Sequence, residues 1–184
     1  MHITNLSNDN KLAIEQAARL LIEGFAVHSP TSWPDMDAAL EEVREFLGED
    51  RISRIAVAED GSVLGWIAGS SHYEGNVWEL HPLVVSVHHQ GKGIGRALVQ
   101  DFEERVKERG GLTIMLGTDD EDYRTSLSAI NLFPDVFEHI ARIRNPNRHP
   151  YEFYQKMGYV IIGVIPDANG LGKPDILMAK SLVR

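Results

Sequence analysis

Residues 77–100, VWELHPLVVSVHHQGKGIGRALVQ, constrain this chain more than any other stretch. The first half is apolar and β-prone up to Leu83, Val84 and Val85, a turn with three glycines follows, and the second half is a good helix former, so the segment reads strand, loop, helix. Gly91, Gly93 and Gly95 lack a Cβ, so successive backbone N–H groups can turn inward toward a bound anion while the helix presents the positive end of its dipole. This is a cradle of the size of a pyrophosphate. The spacing excludes two familiar nucleotide loops. A dinucleotide fingerprint needs G-x-G-x-x-G, and these glycines are one residue too close; a Walker loop needs Lys followed by Ser or Thr, and Lys92 lies between glycines.

Before the cradle, the spacing predicts a short strand over residues 2–6 and an amphipathic helix over 11–25, with Ser7, Asn8 and Asp9 as cap-type residues. HSPTSWP at 28–34 reads as a loop around Trp33, either a hydrophobic plug or one wall of a site. A helix over 35–47 follows, capped by Asp35 or Asp37. Strands over 51–59 and 62–73 flank the hairpin signal Asp60-Gly61, and a second turn at Glu74-Gly75 leads into the cradle strand, giving a three-stranded antiparallel meander. The helix opening in the cradle should end at Gly110-Gly111, and the strand over 112–118 should return parallel to the cradle strand, with DDED (residues 119–122) beyond its C-terminal end. Residues 123–143 read as helical in patches interrupted at Pro134. A short helix over 151–157 and two strands over 160–165 and 175–182 complete the chain.

At 184 residues, one domain is the expectation, and a net charge of -9 argues against nucleic-acid binding while suiting a cationic substrate. With no cysteine, neither a disulfide nor a thiolate nucleophile is available. His88 and His89 are adjacent rather than at ligand spacing, so no metal site is expected. The N-terminal MHITNLSNDNK has no signal-peptide core and no apolar run reaches bilayer length, so the expectation is a cytoplasmic protein without membrane contact.

Q-x-x-G-x-G over Gln90 to Gly95, after an LVV strand, resembles the acetyl-coenzyme A loop of the GNAT superfamily of N-acetyltransferases. WELHPLVV (78–85), LGTDDED (116–122), HPYEFYQKMGY (149–159) and ANGLGKPDILMAK (168–180) are similar, in the same order, to segments of aminoglycoside 6'-N-acetyltransferases. The resemblance implies an α/β (α+β) GNAT fold: a mixed, mostly antiparallel sheet splayed at the cradle strand, with helices on both faces. It also implies acetyl transfer from acetyl-CoA to the 6'-amino group of an aminoglycoside, conferring resistance, in a homodimer. The coenzyme would lie on Leu83, Val84, Val85, Gln90, Gly91, Lys92, Gly93, Ile94, Gly95, Arg96 and Tyr154. Trp33, Tyr73, Glu79, Asp119, Asp120 and Asp122 would bind the substrate, a small cationic amine.

The chemistry of the residues agrees. An ammonium acceptor must lose a proton before attack, and Glu79 and His81 alternate on the cradle strand, so they share a face. His81 is open to two readings, proton transfer or a structural hydrogen bond at a strand bend. Pro82 lacks an N–H and predicts a bulge that would turn a backbone donor, such as that of Leu83, toward the thioester oxygen. The GNAT resemblance implies that Tyr154 lies beside the coenzyme sulfur and donates to the departing thiolate; the other reading of Tyr154 is a core aromatic whose hydroxyl finds a backbone partner. Direct attack in a ternary complex is the economical mechanism, because no covalent nucleophile is recognisable. The alternatives are a GNAT enzyme for another primary amine (a polyamine, peptide or protein) and a non-catalytic acyl-coenzyme A sensor.

Overall fold

The computed structural model describes residues 1–184. Seven strands and five α-helices alternate in the order His2–Asn5 (β1), Lys11–Phe25 (α1), Met36–Glu45 (α2), Arg51–Val57 (β2), Val63–His72 (β3), Val77–Val85 (β4), Ile94–Glu108 (α3), Thr113–Asp119 (β5), Val136–Ala141 (α4), Tyr151–Lys156 (α5), Val160–Ile165 (β6) and Asp175–Ser181 (β7). By contacts the chain divides into two units, Met1–Ile114 with Leu182–Arg184, and Met115–Ser181.

In the first unit β1, β2, β3 and β4 are antiparallel neighbours in that order, so the expected meander is present. Its helices cover both faces of the sheet. Residues Ile55, Trp66, Ala68 and Val84 form one core with Ala17, Leu21, Ala39 and Val43 of α1 and α2. On the opposite face Gly69 lies under α3, where a Cβ would come within 2.4 Å of the Phe102 ring and 2.3 Å of the Glu79 carbonyl. Only glycine fits that close approach. Trp66 is fully buried, and its indole N–H is satisfied by the Ser53 hydroxyl at 2.9 Å, which makes a large apolar group tolerable deep in the sheet.

Helix α1 has the expected bounds but a different cap. Asn10, rather than Ser7, Asn8 or Asp9, accepts the Ala13 N–H at 3.1 Å. For α2 the cap is Asp35, which accepts the Ala38 N–H at 3.0 Å. The tight turns come where glycine was placed: Gly61 closes the β2–β3 hairpin at φ +87°, and Gly110 follows α3 at φ +80°.

In the second unit β7 pairs antiparallel with β6 and lies between β6 and β5. The segment expected to be helical in patches over 123–143 keeps only one short helix, α4; residues 123–135 follow an irregular path instead. Much of that path is organised by Asp120, as described below. No helix is long and apolar enough to cross a membrane.

Candidate active site

Strand β4 departs from regular pairing where Pro82 predicts it. Gly69 is opposite Leu80 but Ile67 is opposite Leu83, so His81 and Pro82 together face Ala68. That extra residue is a β-bulge. Pairing partners share a face, so Leu80 and Leu83 both lie on the α3 side, whereas Glu79, opposite Ser70, lies on the α1/α2 side. His81 joins Glu79 there, with its ring centroid 6.1 Å from that of Trp33 and 6.0 Å from that of Phe46. The expected shared face of Glu79 and His81 is therefore present.

Each of these two groups has a partner that the sequence reading did not name. The Glu79 carboxylate stands 3.2 Å from His72 Nε2, and that nitrogen is also 3.1 Å from the Ser70 hydroxyl. His81 Nε2 stands 3.3 Å from Glu42 Oε1 on α2, while Trp33 Nε1 donates to Glu42 Oε2 at 3.4 Å. The hydrogen bond from His81 holds the Glu42 carboxyl below the ordinary range; burial opposes it, and the histidine's charge and the Trp33 hydrogen bond add to it. Trp33 packs edge-to-face on Phe25 at 4.7 Å and rests on the α1/α2 core, so it acts as a plug and anchors Glu42 at the same time. Tyr73, by contrast, is 73% exposed in the single 3₁₀ turn between β3 and β4.

Downstream on the same strand, the cradle has the geometry an anion needs. Gly91 and Gly93 have φ of +74° and +84°, and nothing lies within 4 Å of where a Cβ would be on either. No side chain caps α3, so its first N–H groups remain available for a ligand. Around them, Gln90 Nε2 donates to the Val85 carbonyl at 3.3 Å and Lys92 Nζ to the His88 carbonyl at 3.2 Å, which ties the loop to itself. Ile94 is buried beneath the turn and Arg96 is exposed; Gly95 is the second residue of the helix, with ordinary helical backbone rather than a left-handed turn. Val84 is buried and Val85 half-buried at the strand end. A pyrophosphate fits this open, uncapped turn.

In the second unit, Asp120 requires a correction. Its carboxylate is fully buried and accepts the N–H groups of Arg124 at 2.6 Å and Thr125 at 2.8 Å, together with the Ser128 hydroxyl. Burial works to raise its pKa, and these hydrogen bonds outweigh it, leaving the carboxyl below the ordinary range. Asp120 thus organises the 120–128 loop rather than facing a ligand. Asp119 is exposed and accepts from Asn169 Nδ2 at 2.5 Å; Asp122 is exposed on the same loop. Tyr154 on α5 is buried between Phe153 and Tyr159, with ring centroids at 5.1 and 5.7 Å, and burial pushes its hydroxyl pKa well above the usual value. It stays a proton donor at neutral pH. No group of three or more His, Asp or Glu side chains is arranged to hold a metal.

An anion cradle after a bulged strand that carries a carboxylate and an imidazole on one face defines an acyl-coenzyme A-dependent transferase, and the model of the Acetyltransferase (GNAT) family matches residues 15–133. The chain belongs to that family. A crystal structure of an aminoglycoside 6'-N-acetyltransferase complexed with coenzyme A is 41% identical, with TM-score 0.90, over 100% of this chain and 98% of that one. The aminoglycoside 6'-N-acetyltransferase from Enterococcus faecium gives the same values. Aminoglycoside 6'-acetyltransferase type Ii is 36% identical over 100% and 99% of the two chains, with TM-score 0.76. No curated protein sequence matches the chain.

Proposed function

We propose that this protein is an aminoglycoside 6'-N-acetyltransferase, active as one domain over residues 1–184. The observation that carries the reading is full-length similarity, at 41% identity, to structures of enzymes with that activity, one of them holding coenzyme A. The cradle supports it. Backbone N–H groups from Gly91 to Arg96 would hold the pyrophosphate, with Gln90 and Lys92 stiffening the loop, and the backbone of Leu83 to Val85 would hold the pantetheine arm. Acetyl-coenzyme A supplies the activated thioester.

Glu79 binds the acceptor's ammonium group, and His81 beside it takes a proton as the amine becomes a nucleophile. The amine nitrogen then bonds to the thioester carbon, the C–S bond breaks, and the sulfur leaves as thiolate. The Leu83 N–H is the proposed donor to the thioester oxygen, next to the bulge formed by His81 and Pro82. Trp33 and Tyr73 are proposed as aromatic walls for the sugar rings. In the second unit, Asp119 and Asp122 are the acidic groups proposed to meet further ammonium groups, and Tyr154 is the proposed donor to the thiolate. A cytoplasmic location, a homodimer and a role in resistance follow from the family resemblance.

Thiol release by the purified protein with acetyl-CoA tests the reading. Aminoglycosides with a 6'-amino group should be acetylated, and analogues with a 6'-hydroxyl should not. Equal rates with both, or turnover confined to polyamines or peptides, would overturn it.

A further inference from the structure

Glu42 is one of several acidic residues on an outwardly ordinary helix, yet its two carboxylate oxygens meet different partners. Oε1 faces His81 Nε2 at 3.3 Å, and Oε2 accepts from the Trp33 indole at 3.4 Å. The Glu42 side chain is 20% exposed and that of His81 50% exposed, so the carboxylate is the inner member of the pair and the imidazole reaches outward. Trp33 and Phe46 flank the ring, which limits its rotation. Indole, carboxylate and imidazole thus form a chain that runs from the α1/α2 core to the sheet face carrying Glu79.

Such a chain sets the tautomer of the ring. A carboxylate accepting from Nε2–H leaves the lone pair of a neutral imidazole on Nδ1, and it stabilises the imidazolium that forms when Nδ1 gains a proton. The other titratable groups on this face are Glu79 of β4, its partner His72 of β3, and Arg51 of β2, which is opposite Ser70 and has its guanidinium 5.9 Å from the centroid of the Phe46 ring. Glu42 stays ionised to do this, since His81 and Trp33 hold its carboxyl below the ordinary range.

We propose that Glu42 is the positioning residue of proton removal: it fixes His81 as the Nε2–H tautomer, so that Nδ1 accepts the proton lost by the attacking amine. The inference rests on the reading of His81 as the group that takes that proton. In the step, Nδ1 takes one proton from the ammonium, and the electron pair left on nitrogen forms the N–C bond to the acetyl carbon. The C–S bond electrons leave with the sulfur, and the second proton that the nitrogen sheds in becoming an amide ends on that sulfur as the thiol. The imidazolium then returns its proton to water, with the Glu42 charge unchanged throughout.

The test combines kinetics with a measurement that needs no turnover. Glu42→Gln, Glu42→Asp, His81→Ala and the Glu42→Gln/His81→Ala double variant are compared in pH profiles of kcat and kcat/KM, and the His81 ring is titrated by nuclear magnetic resonance in the free protein. Glu42→Gln should lower kcat by about 10-fold or more with the KM for acetyl-CoA little changed, and Glu42→Asp should recover part of that loss. The His81 titration and the acidic limb of the profile should both move to lower pH, because the ring has lost its carboxylate. In the His81→Ala background, Glu42→Gln should cost nothing further. If Glu42→Gln does not fold, Glu42→Asp and the native His81 tautomer carry the comparison. Unchanged His81 titration and kcat in a protein whose His81→Ala variant is impaired would overturn the proposal alone. Wild-type activity in His81→Ala would remove the reading beneath it and the proposal together.

Discussion

His149 Nε2 lies 2.9 Å from the backbone oxygen of Asp119, thirty residues earlier in the chain. The other ring nitrogen accepts the Tyr151 N–H at 3.3 Å, so one neutral imidazole joins the end of β5 to the first turn of α5. Asn145 clamps the same residue by its backbone, accepting from the His149 N–H at 2.5 Å and donating to its carbonyl at 2.9 Å. His149 is 2% exposed, and burial holds its pKa below the ordinary histidine value despite the opposing pull of the Asp119 carbonyl and nearby carboxylates. The unfolded chain therefore binds a proton at a pH where the folded chain does not. Its contribution to stability is complete above the unfolded value of about 6.5 and declines as pH falls below it. Urea unfolding from pH 8 to pH 5 should show that decline in the native protein. His149→Gln should lower stability at pH 8 by about 1–3 kcal/mol and flatten the decline. An equally steep decline in the variant would remove His149 as its source.

Gly95→Asp separates the two roles of the cradle turn. Gly95 lies in the first turn of α3 with ordinary helical backbone, so the substitution brings no left-handed strain, and a carboxylate at a helix N-terminus interacts favourably with the dipole. Melting temperature should hold or rise. Acetyl-CoA affinity should fall by about tenfold or more, because the new charge meets the pyrophosphate. Calorimetric titration showing native affinity in the folded variant would sink the cradle assignment.

Tyr154→Phe keeps a buried ring and removes one hydroxyl. If that hydroxyl donates to the departing thiolate, kcat should drop by about 10-fold or more under conditions where chemistry limits turnover, with coenzyme affinity and melting temperature little changed. Its raised pKa keeps the donor protonated through neutral pH, so the loss should not vary between pH 6 and pH 9. A native kcat would rule the role out.

What the sequence made legible is what depends on neighbours in the chain. Helix α1, the hairpin at Asp60-Gly61, the bulge announced by Pro82 and the cradle glycines all follow from local conformational preference. What it hid depends on residues far apart. Glu42 sits in LEEVREF among other helix glutamates, and its distinction arises only when α2 is laid over the sheet face that carries His81. His72 likewise gains its meaning from strand register, which pairs Ser70 with Glu79. In DDED, identical side chains diverge in three dimensions: Asp120 turns into its loop while Asp119 and Asp122 stay at the surface. The helical pattern expected over 123–143 fails for the same reason, since a buried carboxylate offering acceptors to Arg124, Thr125 and Ser128 holds the backbone in a non-helical path.

The bulge at His81 and Pro82 also changes the parity of the strand. Before it, even-numbered Trp78 and Leu80 look toward α3; after it, odd-numbered Leu83 and Val85 do. The two halves of β4 are thereby read out of phase, and the bulge is the one place where odd positions stop belonging to the α1/α2 side and even positions begin to. Flattening the bulge with both residues kept would invert half of the strand, turning either Glu79 and His81 into the α3 core or Leu83 and Val85 out of it, whereas deleting one of the two would leave a regular strand whose halves face as they do now. With His81 and Pro82 both present, it is the bulge that keeps the reactive face and the packed face of the strand from trading places.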